Sequence, residues 1–314
     1  MRVVFCGSGP FAIASLRAVL ASSHELVGVI TQPARPAGRG GKPRPTPVAE
    51  VAREAGLDVT ECASINDEQM VARIRALEAD VTCVADFGQM IRKRARQAAA
   101  LGAFNLHASL LPELRGAAPI NWAIIRGCRR TGVTTFCLVD RMDAGPIYLQ
   151  AETDVRSDET AEQLRDRLAE MGAELVCETL DLLAEGGAQP RPQDDSQATT
   201  APMLQKSDGV IDWRDDAAAI RNRIHGTWPW PGAQTRFVRE GKGPVDVVIA
   251  RAAVEDAPAG REPGRLDEDL CVAGGAGRLR IVEIRPAGRR LMTWCDFVNG
   301  YRVREGDGFV SIHT

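Results

Sequence analysis

The 314-residue chain lacks the long apolar run that a membrane-spanning helix needs. Its N-terminus passes from Met1 and Arg2 directly into the short apolar stretch of residues 3–6, and no stretch approaches the ~20 apolar residues of a span. We therefore expect no secretion signal, no membrane anchor and a cytoplasmic location. The length exceeds the usual size of one domain, so we expect two domains, each with its own core.

Paired cysteines of the CxxC type are also absent, and no cysteine stands beside a histidine at metal-ligand spacing. The eight cysteines lie far apart, most of them in apolar runs, at positions 6, 62, 83, 128, 137, 177, 271 and 295. This distribution favours buried, reduced thiols in a reducing cytosol over disulfides or zinc ligands. We expect no metal.

The chain has no strong excess of charge of either sign. It carries 39 basic and 42 acidic residues, a formal net charge of -3 at pH 7. This balance gives no overall attraction to nucleic acid, and we expect no DNA partner. A polyanion could be bound only by a local basic patch.

The first half of the chain alternates short β-branched runs with helical patterns. This alternation is typical of a parallel or mixed sheet with crossover helices, a Rossmann-like α/β fold. Thr46 followed by Pro47 has the form of a helix cap with a first-turn proline. The predicted strands cover residues 3–6, 25–31, 79–85, 103–106 and 133–139, and a helix is predicted over residues 11–22.

The composition changes near residue 187. Residues 187–205 are rich in Pro, Gln, Asp, Ser and Thr, which predicts a linker. Residues 206–314 contain short apolar runs separated by glycine-rich turns, which predicts a small OB-like β-barrel. The expected organisation is a catalytic domain over residues 1–186, the linker, and a C-terminal barrel domain.

Gly7, Gly9 and Ala12 follow the first predicted strand in the GxGxxA spacing of dinucleotide-binding folds. The second predicted strand ends in Thr31 and Gln32, without the acidic residue that binds the ribose of NAD. The pattern therefore favours a tight strand-to-helix turn that needs glycines over an NAD site.

The strongest chemical signal lies in residues 103–110. Strand alternation puts Asn105, His107 and Ser109 on one face and leaves the opposite face apolar. A central parallel strand is normally apolar on both faces, and ligands bind beyond its carboxyl end. The three polar side chains therefore predict a site there, although a single buried histidine can also be an ordinary core residue.

Residues 109–120, SLLPELRGAAPI, and residues 140–145, DRMDAG, complete a pattern that resembles the methionyl-tRNA formyltransferase family, within the wider group of folate-dependent formyltransferases. The resemblance extends over nearly the whole chain. It implies transfer of a formyl group from 10-formyltetrahydrofolate to the α-amino group of charged initiator tRNA, without a metal or a covalent intermediate. Asn105, His107 and Asp143 fall on the catalytic positions. The implied folate contacts are Ser109, Leu110, Leu111 and Pro112, together with the backbone of Ala85, Phe87, Gly88 and Met90, which would bind the pterin ring.

The resemblance also implies a substrate loop at residues 32–42 and a tRNA-binding role for residues 206–314. Residues 211–213 and 230–232 match the C-terminal domain of the family, whereas His225 and Trp228 depart from its usual Arg and Asn. We expect a monomer. The implied tRNA contacts are Arg35, Arg39, Lys42 and Arg44.

The catalytic core by itself leaves the acceptor open, because family members act on glycinamide ribonucleotide, on amino sugars or on methionyl-tRNA. Four basic residues without an acid in one loop, and a whole second domain, favour RNA. Against RNA, residues 206–314 carry 17 basic and 16 acidic residues, so the second domain is not broadly basic. A folate-binding or RNA-binding module without activity would require Asn105 or His107 to point away from the pocket.

Overall fold

The computed structural model describes residues 1–36, 41 and 43–312. The chain divides into two compact units, each assembled from segments that are distant in sequence. Unit 1 comprises Met1–Ala117, Thr131–Thr153 and Arg165–Ala201. Unit 2 comprises Ala118–Arg130, Asp154–Leu164 and Pro202–Thr314.

The first half of the chain forms alternating strands and helices, as the sequence pattern predicts. Helix capping follows the local signals: the Thr46 hydroxyl accepts a hydrogen bond from the Ala49 amide at 3.1 Å, and Pro47 is the first helical residue. The elements are β1 (Arg2–Gly7), α1 (Ala12–Ala21), β2 (Glu25–Thr31), β3 (Arg35–Pro36), β4 (Pro43–Arg44), α2 (Pro47–Glu54), β5 (Val59–Glu61), α3 (Glu68–Ala76), β6 (Val81–Ala85), α4 (Lys93–Arg96), β7 (Ala103–His107), α5 (Pro119–Ile125), β8 (Arg130–Cys137), β9 (Ile147–Asp154) and α6 (Ala161–Ala184).

Seven strands form the sheet of unit 1 in the order β5-β2-β1-β6-β7-β8-β9. The strands from β5 to β7 are parallel, and β8 pairs with β7 in the antiparallel direction. The predicted Rossmann-like mixed sheet is therefore confirmed. Chain order reverses between β1 and β6, so the carboxyl ends of these strands form the switch point at which open α/β sheets bind ligands.

The polar face of β7 is opposite to the face that packs on helix α6. A Cβ on Gly172 of α6 would come within 2.5 Å of the Leu106 side chain, so this face is closely packed. Phe104 and Leu106 are buried there, while Asn105 on the other face keeps partial exposure. The alternation expected for β7 is present.

Unit 2 contains a six-stranded sheet in which the neighbouring strands pair in the antiparallel direction. Residues 265–266 bridge both edge strands, through Arg265 to Gly308 and through Leu266 to Val272, and this nearly closes the predicted barrel. Its core includes Phe237, Phe297 and Phe309. The elements are α7 (Ala217–Thr227), β10 (Ala233–Val238), β11 (Val245–Glu255), β12 (Val272–Ala273), β13 (Arg278–Pro286), β14 (Met292–Thr293), α8 (Trp294–Tyr301) and β15 (Gly308–Val310).

Unit 2 also includes helix α5, which lies inside the predicted catalytic domain of residues 1–186. Asn121 of α5 donates to the Gly226 carbonyl of α7 at 2.8 Å, and a Cβ on Gly226 would meet Ile125 at 2.5 Å. Unit membership therefore does not follow chain order.

The predicted linker of residues 187–205 belongs to unit 1 as far as Ala201. Arg191 exchanges two backbone hydrogen bonds with Ile147, and the Arg115 amide donates to the Thr199 carbonyl at 2.9 Å. The polar composition of this segment reflects hydrogen bonding along the surface of unit 1. The domain boundaries inferred from the sequence stay a prediction.

Among the described residues, no helix is both long enough and apolar enough to cross a membrane.

Candidate active site

The candidate catalytic residues come from two places in unit 1. Asn105 and His107 lie in the last three residues of β7, and Asp143 lies in the turn between β8 and β9. Since β7 and β8 pair in the antiparallel direction, with His107 opposite Thr134, the turn after β8 must return toward the end of β7 to place Asp143 there. The structure brings His107 and Asp143 together across 36 positions of sequence.

His107 is 6% exposed, and both of its ring nitrogens have neighbours. Nε2 donates to the Leu114 carbonyl oxygen at 2.9 Å. A carbonyl can only accept, so this contact places the proton on Nε2 and leaves Nδ1 available to exchange a proton. The ring also packs edge-on against Phe136, with centroids 6.4 Å apart. The Leu114 carbonyl therefore fixes the tautomer of the neutral His107 ring.

Asp143 lies with its Oδ2 3.9 Å from His107 Nδ1, and its side chain is 14% exposed. This distance is too long for a hydrogen bond, and Oδ2 instead accepts from the Gly116 amide at 2.8 Å. The Asp143 backbone adopts the left-handed conformation, with φ 51°. Asp tolerates this conformation better than most residues, yet it still needs support from the surrounding chain.

Asn105 is the least constrained of the three residues. Its backbone pairs with Val84 of β6 on one side and with Phe136 of β8 on the other. These two neighbouring strands fix the position of its Cα in the sheet. Within the described part of the chain, its side-chain amide has no hydrogen-bond partner. Its two N–H donors are therefore available to an added oxygen atom.

Residues 109–112 form a rigid stretch directly after β7. The Ser109 hydroxyl donates to the Glu113 carbonyl at 2.6 Å, and the Ser109 carbonyl accepts from the Thr134 hydroxyl at 2.6 Å. Leu111 is buried with Phe136, and Leu110 and Pro112 are partly buried. The Ser109 and Leu111 side chains are thus engaged within the protein, and a folate would contact this stretch mainly through Leu110 and Pro112.

The other expected folate segment follows β6. Ala85 and Phe87 are buried. Gly88 has φ 71° and lies against the Gln32 side chain, because a Cβ on Gly88 would lie 2.5 Å from Gln32 Nε2. Met90 is 47% exposed. The Phe87 carbonyl accepts from Gln32 at 2.7 Å. The exposed part of this segment therefore consists of the Gly88 backbone and the side chains of Asp86 and Met90.

Asp86 is a residue at this edge that the sequence interpretation missed. Its backbone carbonyl accepts from the amides of Ser8 and Gly9, and its carboxylate accepts from the Phe11 amide at 3.3 Å, at the start of α1. Asp86 is exposed, yet the protein atoms packed around its carboxylate desolvate it, and this desolvation raises the pKa of Asp86 to about 6. The same signal that identified Asn105, a polar residue at the end of a central strand, could have found it.

Gly9 and Asp86 also account for the GxGxxA spacing. A Cβ on Gly9 would lie 1.9 Å from Asp86 Oδ2, so only glycine fits against this carboxylate. A phosphate approaching the first amides of α1 would meet a carboxylate already bound there. The glycines therefore serve a close turn, which the sequence favoured over an NAD site.

Two of the four predicted tRNA-binding cations are described. Arg35 of β3 and Arg44 of β4 are exposed and lie directly opposite each other in an antiparallel pair. Arg35 donates to Gln32, whereas Arg44 has no charged partner among residues 1–36, 41 and 43–312. Two positive charges directly opposite each other destabilise a two-stranded ribbon unless an anion lies between them. Arg39 and Lys42 lie outside the described residues.

Unit 2 neutralises much of its positive charge internally. Arg285 lies over the Trp228 ring at 5.3 Å, next to the exposed Trp230. Ion pairs join Arg214 to Asp212, Arg236 to Asp246, Arg278 to Asp267, Arg280 to Glu255 and Arg261 to Glu305. The near balance of charge in the sequence thus corresponds to local pairing.

No disulfide joins any of the eight cysteines, all of which lie within the described residues. Burial raises the pKa of Cys6 and of Cys83, so these thiols are held in the unreactive protonated form. No cluster of three or more His, Cys, Asp or Glu side chains suited to a metal occurs in the described ranges.

Comparison with known proteins matches both halves of the chain. The family model described as "Formyl transferase" matches residues 1–180, and that described as "Formyl transferase, C-terminal domain" matches residues 203–302. A methionyl-tRNA formyltransferase of Solibacter usitatus is 40% identical over 98% of each chain. One of Symbiobacterium thermophilum is 41% identical over 98% of this chain and 95% of its own.

Among solved structures, an N-formyltransferase from Helicobacter canadensis in complex with folinic acid and dTDP-3-aminofucose has the same fold, with a TM-score of 0.64. It covers 92% of this chain and 99% of its own at 15% identity.

Proposed function

This chain belongs to the formyl transferase family, and we propose that it transfers the formyl group of 10-formyltetrahydrofolate to the α-amino group of initiator methionyl-tRNA. The observation that carries the proposal is 40% identity over 98% of both chains to a relative named methionyl-tRNA formyltransferase. The choice of a folate donor is supported by the folinic acid held in the N-formyltransferase of the same fold.

We assign the chemistry to Asn105, His107 and Asp143. The acceptor amine attacks the formyl carbon, and the carbonyl oxygen gains negative charge in a tetrahedral intermediate. The free Asn105 amide can donate hydrogen bonds to this oxygen without adding charge. Stabilisation of an oxyanion by fixed donors is commonly the largest single contribution to such reactions.

His107 moves the proton that the reaction must relocate. A free α-amino group has a pKa of about 8, and the neighbouring ester of aminoacyl-tRNA lowers it further, so a weak base suffices. In the neutral ring, donation from Nε2 to Leu114 leaves the lone pair on Nδ1, and Nδ1 faces Asp143. The Asp143 carboxylate stabilises the imidazolium that forms when Nδ1 accepts the amine proton.

The balance of the reaction requires no further group. One carbon–nitrogen bond forms to the amine, the carbon–nitrogen bond to the folate breaks, and the proton passes from the amine through His107 to the departing folate nitrogen. The formyl group is transferred directly, without a covalent bond to the protein.

The direct test mixes the purified chain with 10-formyltetrahydrofolate and one acceptor at a time. We expect N-formyl-methionyl-tRNA to form at a kcat/KM at least 100-fold above that for glycinamide ribonucleotide or a nucleotide-linked amino sugar. Formylation of the amino sugar together with inert charged tRNA would overturn the assignment of the acceptor.

The opposed arginines of β3 and β4 support RNA as the acceptor. We propose that Arg35, Arg39, Lys42 and Arg44 neutralise phosphates near the acceptor end. Each neutralised phosphate contributes about -0.7 to -0.9 to the slope of log affinity against log salt, so four contribute roughly -3. We expect replacement of all four by alanine to flatten the measured slope by about 3 and to raise the KM for charged tRNA, with the folate KM unchanged.

A matched variant separates local contact from net charge. Four other exposed cations of unit 1 form no ion pair within the described chain, and their replacement removes the same total charge. These control residues are Arg17, Arg75, Arg92 and Lys93. If the control variant flattens the salt slope as much as the loop variant does, the loop contributes only long-range attraction and is not a phosphate-binding segment.

A further inference from the structure

Gln193 lies in the segment that the sequence predicted to be a linker, yet its side chain contacts the turn of Asp143. Its Nε2 donates to the carbonyl oxygens of Asp143, at 2.8 Å, and of Gly145, at 2.7 Å. These two carbonyls stand on either side of Ala144. One amide group therefore fixes the backbone on both sides of the left-handed turn that carries the Asp143 carboxylate.

Arg115 fixes the orientation of the Gln193 amide. Nε and Nη2 of Arg115 donate to Gln193 Oε1 at 3.1 and 2.6 Å. A guanidinium has only donors, so the amide oxygen must face it and the amide nitrogen must face the two carbonyls. Arg115 Nη2 also donates to Asp195 at 2.8 Å, and that carboxylate receives a second hydrogen bond from Arg141.

The charged end of this network remains ionised throughout the physiological range. Hydrogen bonds from Arg141 and Arg115 hold the pKa of Asp195 at about 2. Asp195 therefore stays charged beside Arg115 near neutral pH, and its titration does not alter the contacts of Gln193 in that range. Hydrogen bonds that involve charged groups are also stronger than neutral ones.

The backbone next to Arg115 reaches the same two catalytic candidates. Leu114 accepts from His107, and Gly116 donates to Asp143. This stretch is in turn held by residues 199–201, because the Thr199 hydroxyl accepts from the Leu114 amide at 2.8 Å and the Ala201 amide donates to the Arg115 carbonyl at 2.7 Å. The segment after α6 thus supports both sides of the His107–Asp143 pair.

We propose that Gln193 is a positioning residue for formyl transfer, which holds the Asp143 turn so that the carboxylate stays beside His107. This inference rests on the proposed function of the same site. Gln193 does not touch the reacting atoms. Its effect on the rate comes from the placement of Asp143, and a displacement of about 1 Å can cost about 100-fold in rate.

The test is a double-mutant cycle on the full-length protein. Gln193→Met keeps the length of the side chain and removes both donors. We expect kcat to fall about 10-fold to 100-fold, with little change in the KM for folate or for charged tRNA. A lowered kcat with both KM values unchanged separates positioning of Asp143 from a general loss of structure, which would weaken binding as well. Gln193→Glu, which turns a carboxylate toward the two carbonyls, should give a loss at least as large.

The decisive measurement is Gln193→Met made in the Asp143→Asn background. If Gln193 acts through the Asp143 carboxylate, the double variant should be within about 2-fold of Asp143→Asn alone. Gln197→Met is the matched control, because Gln197 lies in the same segment and, within the residues that the structure describes, its amide donates only to neighbouring Ser196. Its kcat should equal that of the unmodified chain.

Independent, multiplicative losses in the double variant would show that Gln193 supports the fold in general and would overturn the proposal. So would full activity of Gln193→Met. Should Gln193→Met fail to fold, Gln193→Glu replaces it in the same cycle. Absence of formyl transfer by the unmodified chain would instead refute the proposed function, so the two failures are distinguishable.

Discussion

Replacing His107 with alanine, or Asp143 with asparagine, should lower kcat by two or more orders of magnitude, equivalent to about 3 kcal/mol of activation free energy. Both groups act on charge and protons that change in the transition state, so folate affinity should change little. The two residues act as a pair across 3.9 Å. The kcat of the double variant should therefore be only slightly below that of the less active single variant. Single-turnover kinetics with bound folate separates the chemical step from binding.

His24 provides a matched control for this prediction. It is also a buried histidine of unit 1, and its Nε2 lies 3.2 Å from Asp181 Oδ1. It belongs to the segment before β2, and its ring nitrogens lie beside the amino group of Met1 and the Asp181 carboxylate. His24→Gln should retain unmodified kcat. If His107→Ala or Asp143→Asn retains turnover within 10-fold of the unmodified chain, the assigned roles are wrong.

Acid should destabilise unit 2 through His225, which is 2% exposed. Its Nε2 accepts from the Ala252 amide at 3.2 Å, a hydrogen bond that requires an unprotonated nitrogen. Burial, and after it the positive charges of Arg221 and Arg251, lower the pKa of His225 to about 4, while Asp158 opposes them. The unfolded chain binds this proton at a pKa of about 6.5.

The sign of the effect follows from which state binds the proton. Between pH 6.5 and 4 the unfolded state carries more protons, so stability falls as the pH falls through this range. Between pH 7.5 and 4.5 we expect His225 to account for roughly 2 to 3 kcal/mol of lost unfolding free energy. His225→Gln should remove this part of the pH dependence. Arg221→Gln should reduce it, because loss of that charge raises the pKa of His225.

Tryptophan fluorescence can follow this transition selectively, because all five tryptophans belong to unit 2. They are Trp122, Trp213, Trp228, Trp230 and Trp294. Urea titrations at the two pH values, read by this signal, give the difference directly. An equal loss of stability in His225→Gln and the unmodified chain would assign the acid sensitivity to carboxylates instead.

The loop of β3 and β4 shows where the sequence interpretation went beyond what the structure describes. The basic residues in that loop could be recognised from the sequence because charge is a local property. Arg35 and Arg44 are indeed opposite each other, but the positions of Arg39 and Lys42 are not described. Their roles in tRNA binding stay a prediction that the salt titration addresses.

The sequence by itself determined the strands β1, β2, β6, β7 and β8 and the cap of α2, because alternation of apolar residues and side-chain capping act over a few positions. It also singled out Asn105 and His107 as candidates, because polar residues are unusual at the end of a buried strand, and their catalytic roles stay a prediction.

Only the tertiary structure decided how those residues are held. Leu114 sets the proton on His107, Gly116 and Gln193 hold Asp143, and helix α5 joins unit 2. Each of these depends on contacts between residues that are distant in sequence, or on backbone atoms that are the same in every residue type. A composition rich in Gln, Asp and Pro is the same for a solvated linker and for a segment whose polar groups bind a neighbouring backbone. The two cases differ in the hydrogen-bond partners of these polar groups, and those partners come together only in the folded chain.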